Sequence, residues 1–114
     1  MTATPQRLAR ILYNAAIRLC RQAVDDLEDG QAQRATERIG RAQTVVAELR
    51  HLSGPGSFSR LYDRLNVQLR EAADYRRREV VAAILVTLEA RRAQWNNTVR
   101  QQIGDRSVSR DWVG

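Results

Sequence analysis

The sequence has 114 residues and a formal net charge of +6 at pH 7. This length suffices for one domain and leaves no room for a second, cofactor-binding one. All 19 basic residues are arginine, so we expect a basic surface that could bind nucleic acid or an acidic partner. A biased coding composition would explain the same arginine usage without any binding role.

Cysteine usage and the length of the apolar runs bear on the compartment. Cys20 is the single cysteine, so an intramolecular disulfide cannot form and a reducing compartment is expected. The longest apolar run, from Val80 to Val86, has seven residues, far fewer than the roughly 20 needed to span a bilayer. The N-terminal residues lack the apolar core of a signal peptide. We therefore predict a cytoplasmic protein without membrane insertion.

The first predicted helix begins with Thr4 as N-cap and Pro5 as first helical residue, and it ends near Leu27. Its apolar positions form two stripes turned by roughly 130° from each other. The first stripe consists of Leu8, Leu12, Ala15, Leu19 and Ala23, and the second of Tyr13, Ile17, Cys20 and Val24. We assign the first stripe to the core and interpret the second as surface left for a partner. Burial of both stripes against two neighbouring helices is the alternative.

Three more helices are predicted, because good helix formers fill the intervals between the glycines and prolines. The second runs over about residues 32–52, the third over about 57–75 and the fourth over about 79–103. Gly104 is expected to end the fourth helix, and residues 105–114 lack apolar periodicity. The predicted organisation is one helical-bundle domain followed by a flexible C-terminal tail.

The predicted fold is all-α, an antiparallel four-helix bundle with short loops. The bundle domain comprises residues 1–104 and the tail residues 105–114. Its expected core contains Leu8, Leu12, Leu19, Ile39, Val46, Leu65, Leu69, Leu85 and Leu88. Apolar residues expected to face inward elsewhere include Phe58, Leu61, Tyr62, Trp95 and Val99.

The sequence offers little for catalysis. His51 is the only histidine, and no pattern brings it to Cys20. The carboxylates after residue 24 cluster at the end of the first helix without the spacing of a calcium loop. Phosphate-binding loops and nucleophile elbows are missing as well. We predict a protein that is not an enzyme and that uses no catalytic residue, metal or cofactor.

Four motifs follow one another along the helices. The first helix has Thr2-Ala3-Thr4-Pro5, Leu12-Tyr13 and Ala16-Ile17; the second has Ile39-Gly40-Arg41-Ala42-Gln43, Val45-Val46 and Glu48-Leu49. The third has Leu61-Tyr62-Asp63, Leu65, Leu69, Glu71 and Ala72, and the fourth has Leu85, Leu88, Arg92 and Trp95. In order and spacing they resemble the FliS family, the cytoplasmic export chaperones of flagellin.

The resemblance implies a bundle that binds the C-terminal helical segment of flagellin, prevents premature polymerisation and delivers it to the flagellar export apparatus. The implied partners are thus this flagellin segment and the flagellar export gate. On geometric grounds we place the client on the second stripe of the first helix. Its predicted contacts are Tyr13, Ile17, Cys20 and Val24. We expect this surface to be open in the free protein.

Two other functions stay open. A nucleic-acid-binding bundle is supported by the net charge and by the run Arg76-Arg77-Arg78. It is disfavoured because the arginines are spread over several faces among acidic residues, without stacking aromatics or a known motif. An adaptor that forms a homodimer through the spare apolar stripe is the third candidate.

Overall fold

The computed structural model describes residues 4–113, except for the side chains of Ser57 and of residues 102–113. Four helices account for nearly all of the described chain: α1 (Pro5–Glu28), α2 (Ala32–Ser53), α3 (Ser57–Tyr75) and α4 (Arg78–Val113). The described residues form no strand. The all-α prediction is confirmed.

The helices form a four-membered ring in which each one packs against two others. Helix α1 contacts α2 and α4, and α3 contacts the same two helices from the opposite side. The connections between successive helices are only two or three residues long, which makes sequential neighbours antiparallel. The core therefore lies in the middle of the ring, where side chains from α1 and α3 meet across the diagonal.

The start of α1 follows the sequence pattern closely. The Thr4 hydroxyl accepts a hydrogen bond from the Arg7 backbone N–H at 3.2 Å, and Pro5 is the first helical residue. This arrangement satisfies one of the N–H groups that a helix start leaves without partner. The helix ends at Glu28, one residue beyond the predicted boundary, and Gly30 then turns the chain with a φ of 72°.

The fourth helix differs from the prediction at its C-terminal end. It continues through Gly104 to Val113, so the prediction that Gly104 ends it is wrong. A glycine inside a helix costs only about 1 kcal/mol relative to alanine. No proline follows it to remove a backbone donor.

The core is one cluster to which all four helices contribute. Its largest fully buried side chains are Tyr62, Ile17, Ile39, Leu69, Ile84, Leu88, Val46, Val81 and Cys20. Of the predicted core residues, Leu12 and Leu85 are only partly buried and Leu8 is 38% exposed. Phe58, expected to face inward, is 46% exposed. Both exposed residues lie in the first turn of their helix, where fewer side chains from neighbouring helices cover them.

Candidate functional site

The second stripe of α1 lies in the core rather than on the surface. Tyr13, Ile17 and Cys20 are 2%, 1% and 1% exposed, and Val24 is partly buried against the same cluster. The expectation that this stripe is left exposed is therefore wrong. The predicted homodimer loses its stated basis for the same reason. Client binding by these four side chains stays a prediction, and in this conformation the bundle covers three of them.

The first stripe of α1 lies towards α2, so the second stripe is left to pack in the core. The heptad-like spacing of the first stripe continues from Leu19 to Gln22 and Asp26, and both of these residues bind one side chain of α2. The Arg38 Nε donates to Asp26 Oδ2 at 2.6 Å, and its Nη1 donates to Gln22 Oε1 at 2.5 Å. Helix α1 thus uses both stripes, one towards α2 and one towards the centre and α4. The alternative, burial of both stripes against two neighbouring helices, describes this arrangement except at Leu8, which is 38% exposed.

A cavity of about 410 Å³ opens at the end of the bundle where α1 and α3 begin and α2 ends. We call it the bundle-end cavity. All four helices line it, with Pro5, Gln6, Ala9, Tyr13, Leu49, Leu52, Ser53, Phe58, Tyr62, Arg91, Gln94, Trp95 and Thr98. Tyr13 is the one member of the predicted client-binding set among these residues. This volume falls in the usual range for ligand pockets.

Three aromatic side chains meet on the inner side of the bundle-end cavity. The hydroxyls of Tyr13 and Tyr62 hydrogen-bond to each other at 2.5 Å, which joins α1 to α3. The Trp95 ring lies 6.4 Å from the Tyr13 ring, centroid to centroid, and is tilted by 52°. Burial raises the pKa of Tyr13, and the bond to Tyr62 raises it further, while Arg91 opposes both. Tyr13 therefore stays neutral and hydrogen-bonded at physiological pH.

Arg91 and Phe58 form the outer part of the cavity wall. The Arg91 guanidinium lies over the Phe58 ring, 3.9 Å from the ring centroid, in a cation–π contact. Its Nη1 donates to Gln94 Oε1 at 2.8 Å. Its Nε is buried and has no hydrogen-bond partner among the described residues. The wall thus places an aromatic surface beside a guanidinium group whose buried Nε lacks an acceptor in the described part of the chain.

The sequence pattern predicts only part of this site. Trp95 and Tyr62 fall on faces predicted to be buried, and both line the cavity. No sequence motif marks Arg91, and Phe58 is exposed although the pattern predicts that it faces inward. The available signal was the spacing of Arg91 and Trp95, four residues apart and so on one face of a helix. The approach of α3 to that face depends on the tertiary fold.

The remaining candidate chemical groups are separate from each other. Burial raises the pKa of the Cys20 thiol to about 12, which keeps it protonated and unreactive at neutral pH. His51 lies exposed near the C-terminal end of α2. Among the described residues, no group of three or more His, Cys, Asp or Glu could hold a metal ion. Over the same residues, no helix combines the length and apolar character of a membrane span.

A family model described as "Flagellar protein FliS" matches residues 1–102. The chain belongs to the FliS family. The earlier resemblance is thereby confirmed, and the matched region contains every residue that lines the bundle-end cavity. A relative from Bacillus subtilis (strain 168), the "Flagellar secretion chaperone FliS", is 26% identical over 113 residues. The similarity covers 95% of this chain and 85% of the relative.

Proposed function

We propose that this protein is a cytoplasmic export chaperone for flagellin, with the bundle-end cavity as part of its client site. It binds the C-terminal helical segment of flagellin, prevents premature polymerisation and delivers the client to the flagellar export apparatus. The observation that carries the proposal is the open, aromatic cavity built by all four helices of a FliS-family chain. The printed name of the relative, a flagellar secretion chaperone, supports the same function.

The cavity suits one or two large apolar side chains of an amphipathic client helix. Such helices bind by inserting anchors spaced three or four residues apart into a groove. Trp95 and Phe58 supply rigid aromatic contact area, which tends to dominate binding energy at interfaces. A disordered client segment would fold on this surface and bury its apolar face, and a buried apolar face is unavailable for polymerisation.

Arg91 supplies the polar part of client recognition. Its buried Nε lacks a partner in the described structure, and an unmade hydrogen bond in a buried place is costly. A client carbonyl or carboxylate beside the apolar anchor would satisfy it. This donor favours a client segment in which an apolar anchor lies next to an exposed oxygen acceptor.

The proposed activity involves binding and release without covalent chemistry. We expect the replacement of His51 by Ala to leave client binding unchanged, because this exposed side chain is not among those that line the cavity. Delivery to the export gate is a second binding step, and the flagellar export gate is the proposed receiving partner. Secretion of flagellin in a His51→Ala strain tests the first point.

The sharpest test compares two exposed apolar residues of α3. Phe58 is 46% exposed and lines the cavity, whereas Val67 is 59% exposed and does not. We expect Phe58→Ala to weaken binding of a C-terminal flagellin peptide from the same organism about tenfold, a usual effect for an interface anchor. Val67→Ala should leave the dissociation constant unchanged. Isothermal titration calorimetry measures both, and circular dichroism checks that each variant folds.

A second pair of variants fills the cavity instead of enlarging it. Thr98 lines the cavity on α4, and its exposed neighbour Asn97 does not. We expect Thr98→Trp to block binding of the flagellin peptide and Asn97→Trp to leave it unchanged. If the wild-type chain binds the flagellin peptide but all four variants bind equally well, the client site lies elsewhere. If the wild-type chain does not bind any flagellin of its organism, the proposed function is wrong.

A further inference from the structure

A second depression, of about 490 Å³, lies along the contact between α1 and α4. We call it the basic cleft. It is lined by Arg10, Asn14, Arg92, Asn96, Val99 and Arg100. None of these residues lines the bundle-end cavity. Both sites therefore include residues of α1 and α4, but they share no side chain.

The charge of the basic cleft is not balanced within the described chain. Its lining contains three arginines and no Asp or Glu. Arg92 donates from Nη1 to Asn14 Oδ1 at 2.9 Å, a bond to a neutral amide that leaves the positive charge uncompensated. The ion pair between Arg21 and Glu89, at 3.5 Å, lies farther along the same helices. Concentrated positive charge of this kind attracts an anionic ligand.

The basic cleft also holds an acceptor without a donor. The Oδ1 of Asn96 is buried, and no described group donates a hydrogen bond to it. Native proteins satisfy nearly all buried polar atoms, and exceptions call for an explanation. A ligand that brings an N–H group into the basic cleft would provide the missing donor. The complementary ligand therefore combines negative charge with a hydrogen-bond donor.

We propose that the basic cleft binds an acidic segment of a partner protein. Its Asp or Glu carboxylates pair with the guanidinium groups of Arg10, Arg92 and Arg100, which match carboxylate geometry through two parallel bonds. A backbone N–H of the same segment donates to Asn96 Oδ1 when the partly buried Asn96 side chain turns towards the basic cleft. The phosphodiester backbone of a nucleic acid has no such donor. The lining also lacks an aromatic side chain on which bases could stack. The inference does not depend on the client proposal.

The test uses a fluorescein-labelled peptide that carries glutamates among serines and glycines, with a glutamine version as reference. We expect the full-length protein to bind the glutamate peptide and not the glutamine peptide in fluorescence anisotropy. Replacing Arg10 and Arg100 together by Gln should weaken binding about tenfold. The control replaces Arg60 and Arg70 of α3, two exposed arginines, and removes the same charge. Equal weakening in both double variants would mean attraction by net charge alone and would overturn the proposal.

Asn96 provides a second, uncharged variant. Asn96→Leu removes the unsatisfied acceptor, so the melting temperature should stay the same or rise. Binding of the glutamate peptide should weaken about threefold or more. A stabilised variant with unchanged binding would overturn the proposed role of Asn96. Single-stranded oligothymidine serves as competitor. The proposal is wrong, and the basic cleft is a nucleic-acid site, if two results occur together. The oligonucleotide binds more tightly than the glutamate peptide, and its binding is lost in the Arg10/Arg100 variant but not in the control variant.

Discussion

Tyr13 and Tyr62 show how one residue pair links the core to the candidate site. Both are buried, their hydroxyls satisfy each other, and both rings line the bundle-end cavity. Each hydroxyl would be costly to bury alone, because an unpaired buried polar group loses its bonds to water. The pair therefore allows a polar group to lie at the base of an apolar cavity.

Removing both of these hydroxyls should cost less stability than the sum of the two single removals. We expect Tyr62→Phe to lower the free energy of unfolding by about 1–3 kcal/mol, because it leaves the Tyr13 hydroxyl unsatisfied. The double variant with Tyr13→Phe should lose less than the sum of the single losses. Urea unfolding of the four proteins in the cycle measures the coupling. Additive losses would show that the two hydroxyls do not depend on each other.

The buried thiol of Cys20 should make the stability of the protein depend on pH. Burial raises the pKa of its thiol from 9.0 to about 12. The pKa of the thiol is higher in the folded chain than in the unfolded chain. The contribution of Cys20 to the free energy of unfolding is therefore fully present below pH 9 and is lost as the pH rises towards 12. From pH 8 to pH 10 the wild-type chain should lose roughly 1 kcal/mol more stability than Cys20→Ala. Urea titrations of both proteins at the two pH values test this, and parallel losses would contradict it.

Both ends of α2 and the start of α3 lie within two residues of a glycine, whereas the connection between α3 and α4 contains none. Arg76 there adopts a left-handed conformation, with φ 55° and ψ 46°. This conformation is costly for a residue with a Cβ atom. The short connection imposes it, because the chain must reverse direction between Tyr75 and Arg78.

Glycine should be the better residue at this position. We expect Arg76→Gly to raise the free energy of unfolding by about 0.5–1 kcal/mol, because glycine adopts a positive φ without steric cost. The neighbouring Arg77→Gly is the control. It should be neutral or destabilising, because Arg76 is the one described non-glycine residue with positive φ. Thermal unfolding followed by circular dichroism measures both, and a loss of stability in Arg76→Gly would speak against a strained connection.

At the scale of the whole molecule, one core cluster joins all four helices. Each helix packs on two neighbours, and most of the stability of a helix in a protein comes from the packing of its apolar face. The helices should therefore unfold together in one cooperative transition.

A change in α3 should consequently destabilise the whole bundle. We expect Leu65→Ala, at a position 3% exposed, to cost about 2–5 kcal/mol. Val67→Ala, at a position 59% exposed, should cost no more than about 0.5 kcal/mol. In a Trp112→Phe background, Trp95 fluorescence and circular dichroism should report the same unfolding midpoint for each protein. Separate midpoints would show that α3 unfolds independently.

The helices and the family of this protein can be predicted from local sequence signals. The Thr4 cap, the helix formers between the glycines and the apolar periodicity were sufficient to predict four helices, and ordered motifs were sufficient to identify the family. These features depend on residues close together in the chain, so they can be recognised without a fold.

Which faces of the helices are buried depends on how the helices pack against one another. Periodicity revealed two stripes on α1, but the positions of α2 and α4 decided that Ile17 is core and Leu8 is partly exposed. The bundle-end cavity combines residues as distant in sequence as Pro5 and Thr98, and the basic cleft joins Arg10 to Arg100. Burial and pocket shape depend on how helices pack, and a helical wheel contains no information about neighbouring helices.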